Sequence, residues 1–288
     1  MEDLNQEEEM LDRPLDVHEF KCDPFKIVVT KYHIMESVCR KGKDQSCGED
    51  SANQCNLCRY QQALSQLPQW PEMIFADNSL RIQLLQQGGA KLELNALDAL
   101  RLVDTAHPDV KVASSQEWTK ARKDGPLHQA KSALKPFDWT YSSEYKGTVE
   151  GCKISPTDEH INLELLKRRE PILFFEEVPL FEDELGDNGC SALSAKIRCM
   201  PSGFFCLLRF YLRVDHVLVR INDTRFHWTP LGGESKRWRI LREFSSREKW
   251  VKEMTEGERA KLMEADQLWQ LLPVVKECRD VIEFPATT

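Results

Sequence analysis

The chain has 288 residues, 41% hydrophobic and 30% charged, with 13 Gly and 14 Pro; this excludes a fibrous or low-complexity chain and is enough for one large domain or two ordinary ones. With 39 Lys and Arg against 47 Asp and Glu, the net charge is −8. An acidic body argues against a nucleic-acid partner, because a phosphate backbone takes clustered cations.

The most apolar run, residues 203–212, is interrupted by Arg209 and covers about half of the ~20 residues that span a bilayer, so no membrane partner is expected. The acidic start, Met1-Glu2-Asp3, is unlike a secretory or mitochondrial leader. The ten Cys therefore read as reduced thiols, and the expected location is cytoplasmic.

In chain order, residues 1–14 are acidic and poor in apolar side chains, and read as a disordered tail. Residues 15–288 read as a single domain. Ile27, Val28 and Val29 predict a strand within Phe25–Met35. Residues 38–66 differ in composition: Cys39, Cys47, Cys55 and Cys58 stand among Lys, Gln, Ser and Gly. They read as an inserted surface loop with a short helix near Leu57–Leu67.

Strands are expected at Leu80–Leu85 and Lys91–Leu94, joined through Gly88-Gly89, a pair that tolerates positive φ. Asn95 then caps a helix running to about Asp104, with Asp98 three residues on, where a capping-box acid belongs. A short helix at Gln116–Lys123, a polar connector at 124–136, an aromatic cluster at 137–141, a strand at Gly147–Ile154 and a helix at Asn162–Arg168 follow.

The region 172–228 carries the strongest pattern. Leu193, Ala195, Ile197 and Cys199 alternate with Ser194, Lys196 and Arg198, the period of a strand with one face buried. Pro201-Ser202-Gly203 reads as a turn. A two-residue turn at Asp215-His216 sets Val214 opposite Val217, Leu212 opposite Val219 and Phe210 opposite Ile221 on one apolar face, with Tyr211 meeting Arg220 and Arg209 meeting Asn222 on the other. A strand at Trp238–Phe244 and short helices near 246–255 and 257–270 complete the chain. Antiparallel strands with separate short helices indicate an α+β fold, a β-sandwich or bent sheet decorated with helices.

Catalytic patterns are absent: there is no GxSxG, HExxH, P-loop or GxGxxG, and no two of the seven His stand at i,i+4. The best metal candidate is Cys47-x7-Cys55-x2-Cys58, with Cys39 upstream. A Cys-x2-Cys knuckle clasps zinc, but the first pair here is seven residues apart rather than two. The cysteines are read first as loop thiols without a metal, with zinc and redox readings open behind, and no cofactor is expected. Phe181–Gly189 resembles a calcium loop but has Leu185 and Asn188 where an EF-hand starting at Asp183 takes an oxygen ligand and Gly. Glu176, Glu177, Glu182, Asp183 and Glu184 form a negative stretch, solvated or complementary to a basic partner. Two rival readings stand beside a binding protein: a metal-dependent hydrolase using the 176–187 acids with His160 or His227, and a scaffold binding through the Cys-rich insert.

Several long stretches resemble the TIPRL family, the TIP41-like proteins also described as TOR-signalling-pathway regulator-like. They are Leu67–Gln83 (LPQWPEMIFADNSLRIQ), Leu94–Arg101 (LNALDALR), Lys135–Thr148 (KPFDWTYSSEYKGT), Phe174–Leu185 (FFEEVPLFEDEL), Ser191–Arg225 (SALSAKIRCMPSGFFCLLRFYLRVDHVLVRINDTR) and Leu241–Glu248 (LREFSSRE). The resemblance implies a non-catalytic, cytosolic protein tied to TOR signalling. It would bind the catalytic subunits of type 2A-family serine/threonine phosphatases and modulate their activity or assembly. The implied fold is a helix-decorated antiparallel β core with a cleft for the phosphatase's C-terminal tail. The partner-binding positions it implies are Asp98 in NALDALR, Ile161 in DEHI, and Ile221 and Asp223 in RINDTR.

Each has a plain structural alternative: a helix cap for Asp98, core for Ile161 and Ile221, a turn for Asp223. As a binding residue, Asp223 reads as a rim acid whose loss would spare folding. The acidic tail and residues 38–66 have no counterpart in the family pattern, and residues 249–288 match it poorly.

Overall fold

A computed structural model describes residues 14–43, 45–47, 54–85, 89–106, 108–113, 132–230 and 238–285. Residues 1–13 of the expected tail, the helix expected at 116–123 and most of the 124–136 connector lie outside the described residues.

The described chain opens with β1 (Asp16–Cys22) and β2 (Phe25–Lys31), antiparallel across Asp23-Pro24. Then come α1 (Asn56–Ala63), β3 (Met73–Ile74), β4 (Ser79–Leu84), β5 (Lys91–Asn95), α2 (Ala96–Arg101), β6 (Val110–Ala113) and β7 (Ser132–Lys135). A 3-10 turn at Phe137–Thr140 leads to β8 (Thr148–Glu150), β9 (Lys153–Pro156) and α3 (Leu163–Leu166). The long strands follow: β10 (Phe174–Asp183), β11 (Gly189–Met200), β12 (Gly203–Val214), β13 (Leu218–Trp228) and β14 (Arg239–Trp250). The chain closes with α4 (Glu256–Arg259), α5 (Ala265–Leu271) and β15 (Val274–Glu283).

Two open sheets face each other: a five-stranded sheet in the order β1-β2-β4-β5-β8 and an eight-stranded sheet in the order β3-β10-β11-β12-β13-β14-β15-β9. With the short helices this is the expected α+β architecture. The alternation read from the sequence decides which side chains fill the gap between the sheets. Leu193, Ala195, Ile197 and Cys199 from β11 and Phe204, Cys206, Leu208, Phe210 and Leu212 from β12 are all buried there. Phe25 of the small sheet packs edge-on against Phe204 and Trp228 of the large one, with ring centroids 5.6 and 5.3 Å apart. Burying each such side chain is worth about 1.5–3 kcal/mol, so the alternating strands fix both the pairing and the separation of the layers.

Pro201 and Ser202 turn the chain between β11 and β12. Gly203 sits at φ +130°, and a Cβ there would lie 2.0 Å from the Trp228 carbonyl oxygen, so the close approach of β13 requires glycine.

The hairpin register differs from the sequence reading by one residue. Three residues, Asp215-His216-Val217, form the turn, with His216 at φ 62° and the Val217 N–H bonded to the Val214 carbonyl at 3.0 Å. Val214 therefore pairs with Leu218, Leu212 with Arg220, Phe210 with Asn222, Tyr211 with Ile221 and Arg209 with Asp223. A slip of one residue sends every side chain of β13 to the opposite face. Asn222 and Thr224 thus face the space between the sheets, while Ile221 and Asp223 face outward.

Two further expectations are corrected. The single strand at Gly147–Ile154 is two strands in different sheets, β8 beside β5 and β9 beside β15, because the chain turns at Gly151 and Cys152. Residues 246–250 extend β14 rather than begin a helix, and β15, unforeseen at 274–283, closes the sheet. Its run Val274–Glu277 is exposed and its charges pair sideways, which hides the strand from a hydrophobic pattern.

Candidate functional site

The outer face of the large sheet is where charge and apolar surface meet. On β12 and β13, Arg209 and Asp223 stand directly opposite, and the guanidinium grips the carboxylate by two hydrogen bonds of 2.7 and 2.8 Å. Asp223 is buried, not the rim acid read from the sequence. Arg225, two residues along the same face, approaches it at 3.5 Å.

Residues 251–271 cover part of this face. Trp269 of α5 lies between the guanidinium groups of Arg225 and Arg247, each 4.0 Å from its ring centre. Asp266 of the same helix accepts a hydrogen bond from Arg209, and Tyr211 donates to the Leu262 carbonyl. Beneath, Ile221 is fully buried with Val219, Val251, Met254, Leu268 and Leu272. At the far end, the Thr255–Glu258 capping box and the Lys249–Glu258 ion pair at 2.8 Å fasten α4 to β14. Sequence reading missed Arg225, Arg247, Asp266 and Trp269 as members of this cluster. The available signal was the Leu268, Trp269 and Leu272 spacing, an apolar helix face with nothing local to cover.

Beside the covered patch the face stays open as a groove of about 720 Å³ between β10–β12 and residues 263–267. Phe175 and Met263, 56% and 78% exposed, stand on its walls. Lys196, Arg198 and Arg209 on the sheet and Glu264 and Asp266 on the opposite wall make its charge mixed, with Lys196 held by Glu177 and Arg209 by Asp223 and Asp266, and Phe205, Leu207 and Tyr211 give it apolar surface. Exposed apolar surface ringed by charge is how protein interaction sites look.

Ile161 lies on the same outer face near β14. Its side chain is buried, and its N–H bonds to Glu243 at 2.8 Å. The structure therefore brings Ile221 and Asp223 together and sets Ile161 farther across that face. Asp98 is elsewhere. It sits in the first turn of α2, where its N–H bonds to Asn95 Oδ1 at 2.9 Å, as the capping pattern requires. Its carboxylate accepts from Thr148 at 2.6 Å, from Asn95 at 2.9 Å and from Arg101 at 3.1 Å. Burial works to raise this carboxyl, but the hydrogen bonds from Thr148 and Asn95 and the Arg101 charge hold it below the ordinary carboxylate range. With Arg59, Asp77, Arg81 and Glu93, Asp98 lines a polar cleft beside the small sheet.

The acids at 176–187 form no common site. Glu176 is paired with His18 and Lys31, Glu177 with Lys196 at 2.9 Å, and Asp183 accepts from the N–H groups of Glu72 and Leu185. Burial raises the Asp183 carboxyl despite those bonds. His160 lies against Glu243, and His227 is buried, its basicity lowered by burial and by the neighbouring Arg198. Among the described residues, the group of potential metal ligands that does converge is Cys39, Cys47, Cys55 and Cys58, whose sulfurs all lie within 4.8 Å of one another. Cys47, Cys55 and Cys58 are thus brought together with the upstream Cys39. No helix among the described residues is long and apolar enough to cross a membrane.

Comparison with known proteins adds the following. The model of the TIP41-like family matches residues 73–255. A TIP41-like protein of Caenorhabditis elegans is 44% identical over 254 residues, 88% of this chain and 85% of its own length. A TIP41-like protein of Homo sapiens is 41% identical over 271 residues, 93% and 90% of the two chains. A Saccharomyces cerevisiae protein named type 2A phosphatase activator TIP41 is 36% identical over 172 residues, 54% of this chain and 48% of its own.

Proposed function

The chain belongs to the TIP41-like family, and from that membership we propose that it regulates type 2A-family serine/threonine phosphatases by binding their catalytic subunit, making and breaking no covalent bond itself. The name of the Saccharomyces cerevisiae relative, type 2A phosphatase activator, supports the reading. The observation that carries it is the open groove on the outer face, where Phe175 and Met263 stand exposed beside an apolar floor of Phe205, Leu207 and Tyr211 that carries Lys196 and Arg198. An extended segment ending in a carboxylate suits such a groove: apolar side chains meet the walls and the terminal charge meets Lys196 or Arg198. We place the phosphatase's C-terminal tail there. Ile221 and Asp223 act from beneath, by fixing residues 251–271 as one wall, and Asp98 marks a separate contact. The protein acts in the cytoplasm, in the branch of signalling tied to TOR.

The test is a pull-down of a purified type 2A catalytic subunit on the immobilised chain. Phe175→Glu together with Met263→Glu changes only exposed side chains and is expected to abolish retention, as is removal of the subunit's C-terminal tail. Full retention in both cases would refute the groove as the site.

A further inference from the structure

We infer that Cys39, Cys47, Cys55 and Cys58 bind one zinc ion as a closed structural site that holds the 38–66 insert in place. The match to the family model begins at residue 73, so the four cysteines lie outside the segment that it covers.

The geometry argues first. Cys39 Sγ is 3.5 Å from Cys47 Sγ, 3.9 Å from Cys55 Sγ and 3.6 Å from Cys58 Sγ. Four thiolates around zinc at about 2.3 Å have sulfurs about 3.8 Å apart at the corners of a tetrahedron. Two disulfides would instead divide the four into pairs with S–S distances near 2.0 Å, whereas here one sulfur is nearly equidistant from the other three.

The surroundings argue next. The Lys41 N–H points at Cys39 Sγ at 3.5 Å and the Cys47 N–H at Cys58 Sγ at 3.4 Å, the backbone bonds that steady metal-bound thiolates. Gly42, at φ +115°, turns the chain after Cys39, and its N–H bonds to the Cys39 carbonyl at 2.8 Å. Cys55 caps α1 and Cys58 lies in its first turn, which brings two sulfurs to one point.

The packing argues last. Cys39, Cys55 and Cys58 are buried, and among the described residues the partly buried hydrophobics packed against them are Cys47 and Leu57, so this small cluster is separate from the main core. A polar loop without an apolar core of its own gains order from a metal staple. With all four donors sulfur, the site favours zinc and leaves no position open for a substrate.

The site has a structural consequence. Arg59, one residue past Cys58, binds Asp77 at 2.8 Å, Asn56 also binds Asp77, and the Tyr60 hydroxyl donates to the Ala76 carbonyl at 3.1 Å. Zinc thereby sets α1 against one wall of the polar cleft that holds Asp98.

The test is zinc content and thiol count of the full chain, purified with a thiol reductant and no chelator. One zinc per chain is expected, with cobalt reconstitution giving the intense visible bands of a tetrahedral thiolate complex. Cys39→Ser and Cys55→Ser are expected to lose the metal, Cys47→His to keep it, and Cys152→Ser to have no effect. In the unaltered chain, chelation is expected to increase amide exchange across 54–63 while β11–β13 stay protected. Zinc far below one equivalent with no cobalt spectrum, recovery of the four cysteines as disulfides, or stoichiometric iron in place of zinc would each overturn the inference.

Discussion

Arg209 and Asp223 face each other across β12 and β13 in a two-pronged ion pair with the carboxylate wholly out of solvent. The pair places the charge of the RINDTR segment inside the molecule, under α5.

Removing Asp223 leaves the partly buried Arg209 guanidinium with the exposed Asp266, and removing Arg209 leaves the buried Asp223 with Arg225 at 3.5 Å, a poorer match in each case. Asp223→Asn is expected to destabilise the fold by roughly 3–5 kcal/mol, while Arg209→Met with Asp223→Leu recovers most of that loss. A denaturant double-mutant cycle measures the coupling. Additive losses would mean that the two groups do not depend on one another.

Ile221 is fully buried in the satellite cluster under residues 251–272. Ile221→Ala is expected to cost about 2–5 kcal/mol, concentrated where the cavity opens. Amide exchange should rise across α5 before it rises in β11 and β12. A uniform rise throughout the sheet would contradict a separate cluster.

Asp98 is only partly buried, and its pairing with Arg101 is near the surface. Asp98→Asn keeps a side-chain acceptor for Thr148, so the expected loss of stability is within about 1 kcal/mol. Phosphatase affinity is expected to fall about tenfold or more, equivalent to about 1.4 kcal/mol or more. Parallel melting and binding curves separate the two. Unchanged affinity would remove Asp98 from the contact surface.

Glu258 has its pKa lowered from an ordinary 4.5 to about 2, first by the Lys249 ammonium and then by the Thr255 N–H. A carboxyl depressed by folding adds stability above its unfolded pKa and loses it as the pH falls through its folded one. The stabilisation from Glu258 is therefore complete above about pH 5 and disappears between 4.5 and 2. Glu258→Gln is expected to melt lower than the unaltered chain at pH 7 and to converge with it near pH 2. A constant gap across that range would show that the charge plays no part.

Strand identity was legible in residues 189–228 because burial on one face imposes a period of two, and the Asn95 cap was legible because its bonds are local. The register of the 214–218 turn was not, since a left-handed His216 adds a third residue that no apolar pattern records. That one residue decided whether Ile221 joined the main core or the outer cluster. β15 stayed hidden because its partners, Arg242 with Asp280 and Glu144 with Lys276, stabilise it through charge rather than through apolar alternation. The cysteine group was visible as composition, but its convergence depends on the Gly42 turn and on α1, which bring Cys39 back to Cys58.

The most direct measurement is a calorimetric titration of a purified type 2A phosphatase catalytic subunit with the full chain, with intact-mass analysis of both proteins afterwards. A saturable one-to-one complex, abolished by Phe175→Glu with Met263→Glu and leaving both masses unchanged, is the expected result. No saturable heat, or a covalent change in either protein, would contradict regulation by binding.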